Sequence, residues 1–178
     1  LGVAGIPDQP QIVFRPGLVQ VPGGHRRGHH VVAALDDDAG NLNAFLANFR
    51  NDFEVYIAES PIQAYNMIQD QGIQVVITDH QMPSMSGVEF LETLVKDYPR
   101  VQRILLTGFS DAIPLVEAVN RGKVFGVLHK PFELERIRQM IDNAWNIFKD
   151  ERDRDQLIHQ LRRQNQQFEF ILRQRLLS

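Results

Sequence analysis

The chain has 178 residues, with 19 basic and 22 acidic side chains, a net charge of −3 and no cysteine. Near-neutrality gives no electrostatic case for direct nucleic-acid contact, and the lack of cysteine excludes a disulfide framework or a thiolate metal site. No apolar run approaches the roughly 18 residues of a membrane span, so the expectation is a soluble, cytoplasmic chain holding one ordinary domain with extensions.

Residues 1–30 are rich in turn formers, with Pro7, Pro10, Pro16, Pro22, Gly23 and Gly24, and resist regular structure. A short strand-turn-strand over Gln11 to Val21, turning at Arg15-Pro16-Gly17, fits the pattern. His25, His29 and His30 suit either a metal or a flexible basic linker, and we favour the linker. The chain begins on Leu1 and stops at Ser178 inside an unfinished helical pattern, so a piece of a longer protein is expected.

From Val31 onward, strands and helices alternate. Val31-Val32-Ala33-Ala34-Leu35 is a buried strand that runs into Asp36, Asp37 and Asp38. Leu42, Phe45, Leu46 and Phe49 give a helix its apolar face. A second strand follows at Phe53 to Ala58, and Ser60-Pro61 starts the next helix with a cap and a proline in its first turn. Gln74 to Thr78 is the third strand and delivers Asp79, which is followed by Met82-Pro83 and Met85-Ser86-Gly87. Val88, Leu91, Leu94 and Val95 mark a helix that ends at Tyr98-Pro99. Arg103 to Leu106 then closes on Thr107-Gly108. Ile113, Val116 and Val119 mark a fourth helix, with Pro114 early enough to be tolerated. Val124 to His129 closes on Lys130-Pro131-Phe132. This alternation predicts an α/β fold, a doubly wound parallel sheet.

Open α/β sheets place their chemistry at the carboxyl ends of the strands, which here carry acids, an acid, a hydroxyl and an ammonium. Alone, Asp36 to Asp38 reads as a solvated loop or a helix cap. Together with Asp79 the acids favour a site for a hard divalent cation, because neighbouring carboxylates repel and Mg²⁺ takes oxygen ligands. A threonine hydroxyl and a lysine ammonium are suited to phosphoryl oxygens or a carboxylate.

The last helix carries two patterns. Leu134, Ile137, Ile141, Ala144 and Phe148 form a docking stripe, followed by the charged run Lys149 to Asp155, through which the helix should continue because no Gly or Pro interrupts it. A new stripe, Ile158, Leu161, Asn165, Phe168 and Leu172, then follows 3, 4, 3, 4 spacing. It is either a coiled-coil seam with Asn165 at a core position or an amphipathic face packed on a further domain. We favour a parallel homodimer through residues 156–177. The division is therefore 1–30 extension, 31–148 domain and 149–178 helical linker.

The stretch from Val31 to Phe148 resembles the receiver domains of two-component response regulators, on Asp36 and Asp37, Asp79 with Met82-Pro83 and Met85-Ser86-Gly87, Thr107-Gly108 and Lys130-Pro131-Phe132. The resemblance implies a five-stranded, flavodoxin-like sheet of order 2-1-3-4-5, an order for which a chemotaxis receiver is a known example. It implies that Asp79 accepts a phosphoryl group from a sensor histidine kinase or phosphotransfer protein. It also implies that Asp36 and Asp37 hold Mg²⁺ with Asp79 and the backbone carbonyl of Gln81, and that Thr107 and Lys130 contact the phosphoryl group. Asp38 takes a third acidic position without an assigned role. Such a chain is no enzyme beyond its own phosphoryl transfer, and an output domain outside it would carry the response. One departure from the family is Val127, which stands where many receivers have an aromatic residue; Phe125 lies two positions earlier. The segments around Gly87 to Leu91 and Arg103 to Gly108 also look like receivers that precede cyclic-dinucleotide phosphodiesterases or transcription activators. The competing reading is a dimerising scaffold that keeps the fold for docking alone.

Overall fold

The structure, a computed structural model, describes residues 30–108 and 115–176. Five strands, β1 (Val31–Leu35), β2 (Glu54–Ala58), β3 (Val75–Asp79), β4 (Gln102–Thr107) and β5 (Gly126–His129), form one parallel sheet of order β2-β1-β3-β4-β5. The helices are α1 (Ala39–Phe49), α2 (Pro61–Gln71), α3 (Gly87–Asp97), α4 (Leu115–Gly122) and α5 (Leu134–Leu176). The central strand β3 is buried along its whole length, as a parallel strand covered on both faces should be.

Alternate residues of each strand feed opposite cores. Val32, Val75, Ile77, Ile104 and Leu128 pack with Phe49 of α1 and Ile137, Ile141 and Ala144 of α5. Ala33, Leu35, Val76 and Leu105 pack with Ala64 and Ile68 of α2 and Val88, Leu91 and Leu94 of α3. The local signals act as expected. Ser60 caps α2 through Gln63 N–H with Pro61 in its first turn, and α2 ends on Gly72 in the left-handed region (φ 63°), where a side chain would be strained.

Two differences from the sequence reading have physical reasons. β5 starts at Gly126 rather than Val124, although Phe125 N–H still donates to Arg103 O at 2.7 Å. A Cβ on Gly126 would come 2.7 Å from Met140 Sδ, so α5 packs directly on the strand there. His30 is not part of a flexible linker, and it belongs to no cluster of metal-ligating side chains among the described residues: it is buried, its ring 4.1 Å from that of Trp145 and 5.7 Å from that of Phe53, with Nε2 3.8 Å from Asp142 Oδ1. The segment Gln11–Val21, His25, His29, Ile113 and Pro114 lie outside the described residues.

α5 is one helix of 43 residues, about 65 Å long at 1.5 Å per residue. Its contacts with the sheet domain continue past the apolar stripe: Gln102 Nε2 donates to Glu151 Oε2 at 3.5 Å and Arg100 lies 3.6 Å from Asp155. From Gln156 to Leu176 every residue is exposed. No helix among the described residues is long and apolar enough to cross a membrane.

Candidate functional site

Parallel pairing of β1 with β3, β3 with β4 and β4 with β5 puts their carboxyl ends side by side, with Asp79 opposite Leu106 and Thr107 opposite His129. Asp36 follows β1, Asp79 ends β3, Thr107 ends β4 and Lys130 follows β5. Asp36, Asp37 and Asp79 each offer a carboxylate oxygen, and these oxygens lie within 4.8 Å of one another. Asp36 and Asp79 are buried and Asp37 is exposed. Lys130 Nζ sits 2.7 Å from Asp79 Oδ1 and 3.6 Å from Asp36 Oδ2.

The three consecutive acids have different tasks. Asp38 is the cap of α1, accepting from Gly40 N–H at 2.7 Å and Asn41 N–H at 3.3 Å. Asp36 Oδ1 accepts from Asp38 N–H at 2.8 Å, while Oδ2 accepts from Asn41 Nδ2 at 3.1 Å. Asn41 therefore braces Asp36 from the first turn of α1. Sequence reading missed it, since an amide in that turn gives no pattern of its own.

Burial lowers the Lys130 pKa, but the hydrogen bond to Asp79 and the charges of Asp79 and Asp36 outweigh it, so the ammonium titrates above its usual value. Whatever stability this cation contributes is fully present below the unfolded lysine pKa of about 10.4 and is lost as pH rises through the higher folded value. Its side chain is a third exposed, so solvent screening reduces that contribution. Thr107 is buried, and its hydroxyl donates to Gly108 O at 3.2 Å. Gln81 lines an open cleft with Asp37, His80, Met82, Pro83 and Ser86.

The run from Met82 to Gly87 is the buttress of Asp79. Met82 and Met85 pack against the core on the α2–α3 face. Ser86 and Glu89 form a capping box: Ser86 Oγ accepts from Glu89 N–H at 3.2 Å, and Glu89 Oε2 accepts from Ser86 N–H at 2.9 Å. The hydrogen bonds from Ser86 hold the Glu89 carboxyl below its usual range. Gly87 N–H donates to His80 O at 2.9 Å. A Cβ on Gly87 would overlap the Asp79 carbonyl oxygen and lie 3.0 Å from Leu105 Cδ1. Gly87→Ala should therefore displace the Asp79 backbone and destabilise the domain by about 1–3 kcal/mol, the usual cost of overpacking, read as a lowered urea midpoint at unchanged slope.

Val127 is partly buried against the core on the α2–α3 face, and Phe125 is 37% exposed just ahead of β5.

The family model for the response regulator receiver domain matches residues 32–142. The hydrogenase transcriptional regulatory protein HoxA of Cupriavidus necator is 25% identical over 115 residues, 62% of this chain and 24% of that protein. Among solved structures, a response regulator receiver domain protein from Clostridium thermocellum superposes with a TM-score of 0.63 at 30% identity, covering 67% of this chain and 96% of that one. A structure of an adenylate cyclase from Rhodopirellula baltica gives a TM-score of 0.69 at 30% identity, covering 74% of this chain and 98% of that one. The chain spans about a quarter of the length of the first curated transcriptional regulators it matches.

Proposed function

The chain belongs to the receiver-domain family of two-component response regulators, and from that premise we propose that it accepts a phosphoryl group on Asp79 and passes the change on through α5. The observation that carries the reading is Lys130 at 2.7 Å from Asp79, with Asp36 and Asp37 alongside. A sensor histidine kinase or a phosphotransfer protein is the donor, and the cytoplasm is the setting. An Asp79 oxygen attacks phosphorus in line, the P–N bond of the donor phosphohistidine breaks, and the imidazole leaves with the electron pair. Lys130 exchanges its contact with the free carboxylate for one with the phosphoryl oxygens, offsetting the added charge. The Thr107 hydroxyl turns from Gly108 O to donate to the same group. Positioning and electrostatics supply nearly all the catalysis in such transfers.

The donor set fits Mg²⁺, being all oxygen and crowded with carboxylates that repel one another without a cation. Asp36, Asp37, Asp79 and the Gln81 carbonyl would hold it. When bound, it neutralises charge on the phosphoryl oxygens. Asp37 is the informative position because it is exposed and takes no part in the α1 cap. Asp37→Ala should leave the melting temperature unchanged and weaken Mg²⁺ binding by at least the roughly 10–100-fold that loss of an outer-shell partner costs. Calorimetric titration with Mg²⁺ alone reads this directly, and unchanged affinity would remove Asp37 from the ligand set.

The relay half of the proposal is a homodimer through residues 156–177 that conveys the switch to an output domain. Support comes from the exposure of the stripe on a helix that leaves the domain intact: Ile158 is 40% exposed, Leu161 50% and Phe168 66%. The competing scaffold reading keeps the dimer but not the chemistry. Incubation with acetyl phosphate and Mg²⁺, followed by mapping of the adduct, separates the two: label confined to Asp79 supports the receiver, and no label supports the scaffold.

A further inference from the structure

Between α1 and α5, on the sheet face they share, lies a cavity of about 320 Å³. We propose that it binds a small neutral aromatic molecule carrying one N–H or O–H group. The volume falls at the lower end of the roughly 300–1,000 Å³ of small-molecule sites, and is about twice that of the engineered apolar cavity of about 150 Å³ that takes up benzene. Its walls are the rings of Phe45, Phe49 and Phe132, and its floor is Ile77 and Leu106 of the sheet. The cavity opens to solvent between Ala44 and Leu134, and water lying against its aromatic walls finds few polar partners there.

The walls are held apart. Arg138 of α5 donates from Nε and Nη2 to Asp52 Oδ2 at 3.0 and 2.7 Å, and from Nη1 to Glu135 at 2.8 Å, while its guanidinium stands 5.6 Å from the centre of the Phe49 ring. This brace ties α5 to the turn after α1 and opposes collapse of the space. The charged groups on its lining, Asp36 and Lys130, belong to the site at the strand ends, where Lys130 also holds Asp79 at 2.7 Å, whereas the space between the three phenylalanine rings is apolar and suits a neutral ligand. The amide nitrogens of Asn41 and Asn48 already donate to Asp36 Oδ2 and Ala44 O at 3.1 and 2.7 Å, which leaves their side-chain oxygens as the acceptors on the exposed side of α1. An aromatic ring with one donor matches both features.

Indole is the probe, added to the full chain without Mg²⁺ or phosphodonor, so the result does not depend on the chemistry at Asp79. Saturable binding is expected in equilibrium dialysis, with NMR shifts confined to methyl groups of Leu42, Ile77 and Ile137. Ala44→Trp and Leu134→Trp, at two exposed positions of the lining on facing helices, should each fill the entrance and weaken binding by about tenfold or more, with circular dichroism unchanged. Saturable binding lost in either folded variant supports the site. No saturable binding by the parent, shifts centred elsewhere, or binding that survives both substitutions overturns it. The parent spectra decide the matter even if a variant fails to fold.

Discussion

Asp79→Asn is expected to reduce labelling by acetyl phosphate to background while the chain stays folded. Asparagine keeps the size of the side chain but removes the anionic oxygen that attacks phosphorus, so the loss falls on chemistry rather than packing. Lys130 keeps a partner in the variant, since Asp36 lies 3.6 Å away, and no buried cation is stranded. The readout is the mass of the intact protein and the position of the adduct after borohydride trapping. Asp79 is buried and in contact with Lys130, whereas Asp37 is exposed and Asp38 is committed to the α1 cap. Label at any other acid, or undiminished label in Asp79→Asn, would overturn the assignment.

The double variant Leu161→Glu/Phe168→Glu should be a folded monomer that still takes label at Asp79. Both side chains lie at the centre of the exposed stripe on α5. Burying such groups is worth about 1.5–3 kcal/mol each, and with both chains contributing the sum exceeds the lower estimates of about 4 kcal/mol for association. Carboxylates at the two central layers reverse that gain and add repulsion between chains. Sedimentation velocity of parent and variant, with and without beryllofluoride, gives the answer. A monomeric parent in both states, or a dimeric variant, would mean that the stripe has another partner.

The fold was legible because each level of the sequence agreed with the next. Strand-length apolar runs ended on polar residues, helical stripes lay between them, and Ser60-Pro61 and Tyr98-Pro99 punctuated the boundaries. The gathering of Asp36, Asp37, Asp79 and Lys130 followed once parallel order was assumed, because every strand then ends on the same side. What escaped the reading was set by tertiary contact. Nothing local distinguishes the capping role of Asp38 from the inward role of Asp36, since successive residues in a turn point different ways. His30 sat in sequence beside His25 and His29 but packs in space on Trp145, well over a hundred residues away. Gly87 read only as part of the run that follows Asp79, and its closeness to the Asp79 carbonyl appears only when α3 is laid against β3. The α1–α5 cavity was invisible because each helix taken alone has an ordinary apolar stripe.

The unbroken course of α5 fixes direction as well as distance. The same rod that packs on β3 and β4 and touches Gln102 and Arg100 near the start of β4 runs on to Leu176 without a hinge. Any segment joined to its far end is therefore set in azimuth by residue count: one residue more turns the far end by about 100°, and seven return it to within about 20°. A tilt of the helix at Asp155 is magnified over the 21 residues from Gln156 to Leu176, about 30 Å, so a small shift at the sheet becomes a large one at the tip. Under the proposed relay, α5 would act as a pointer whose heading is set by the receiver domain.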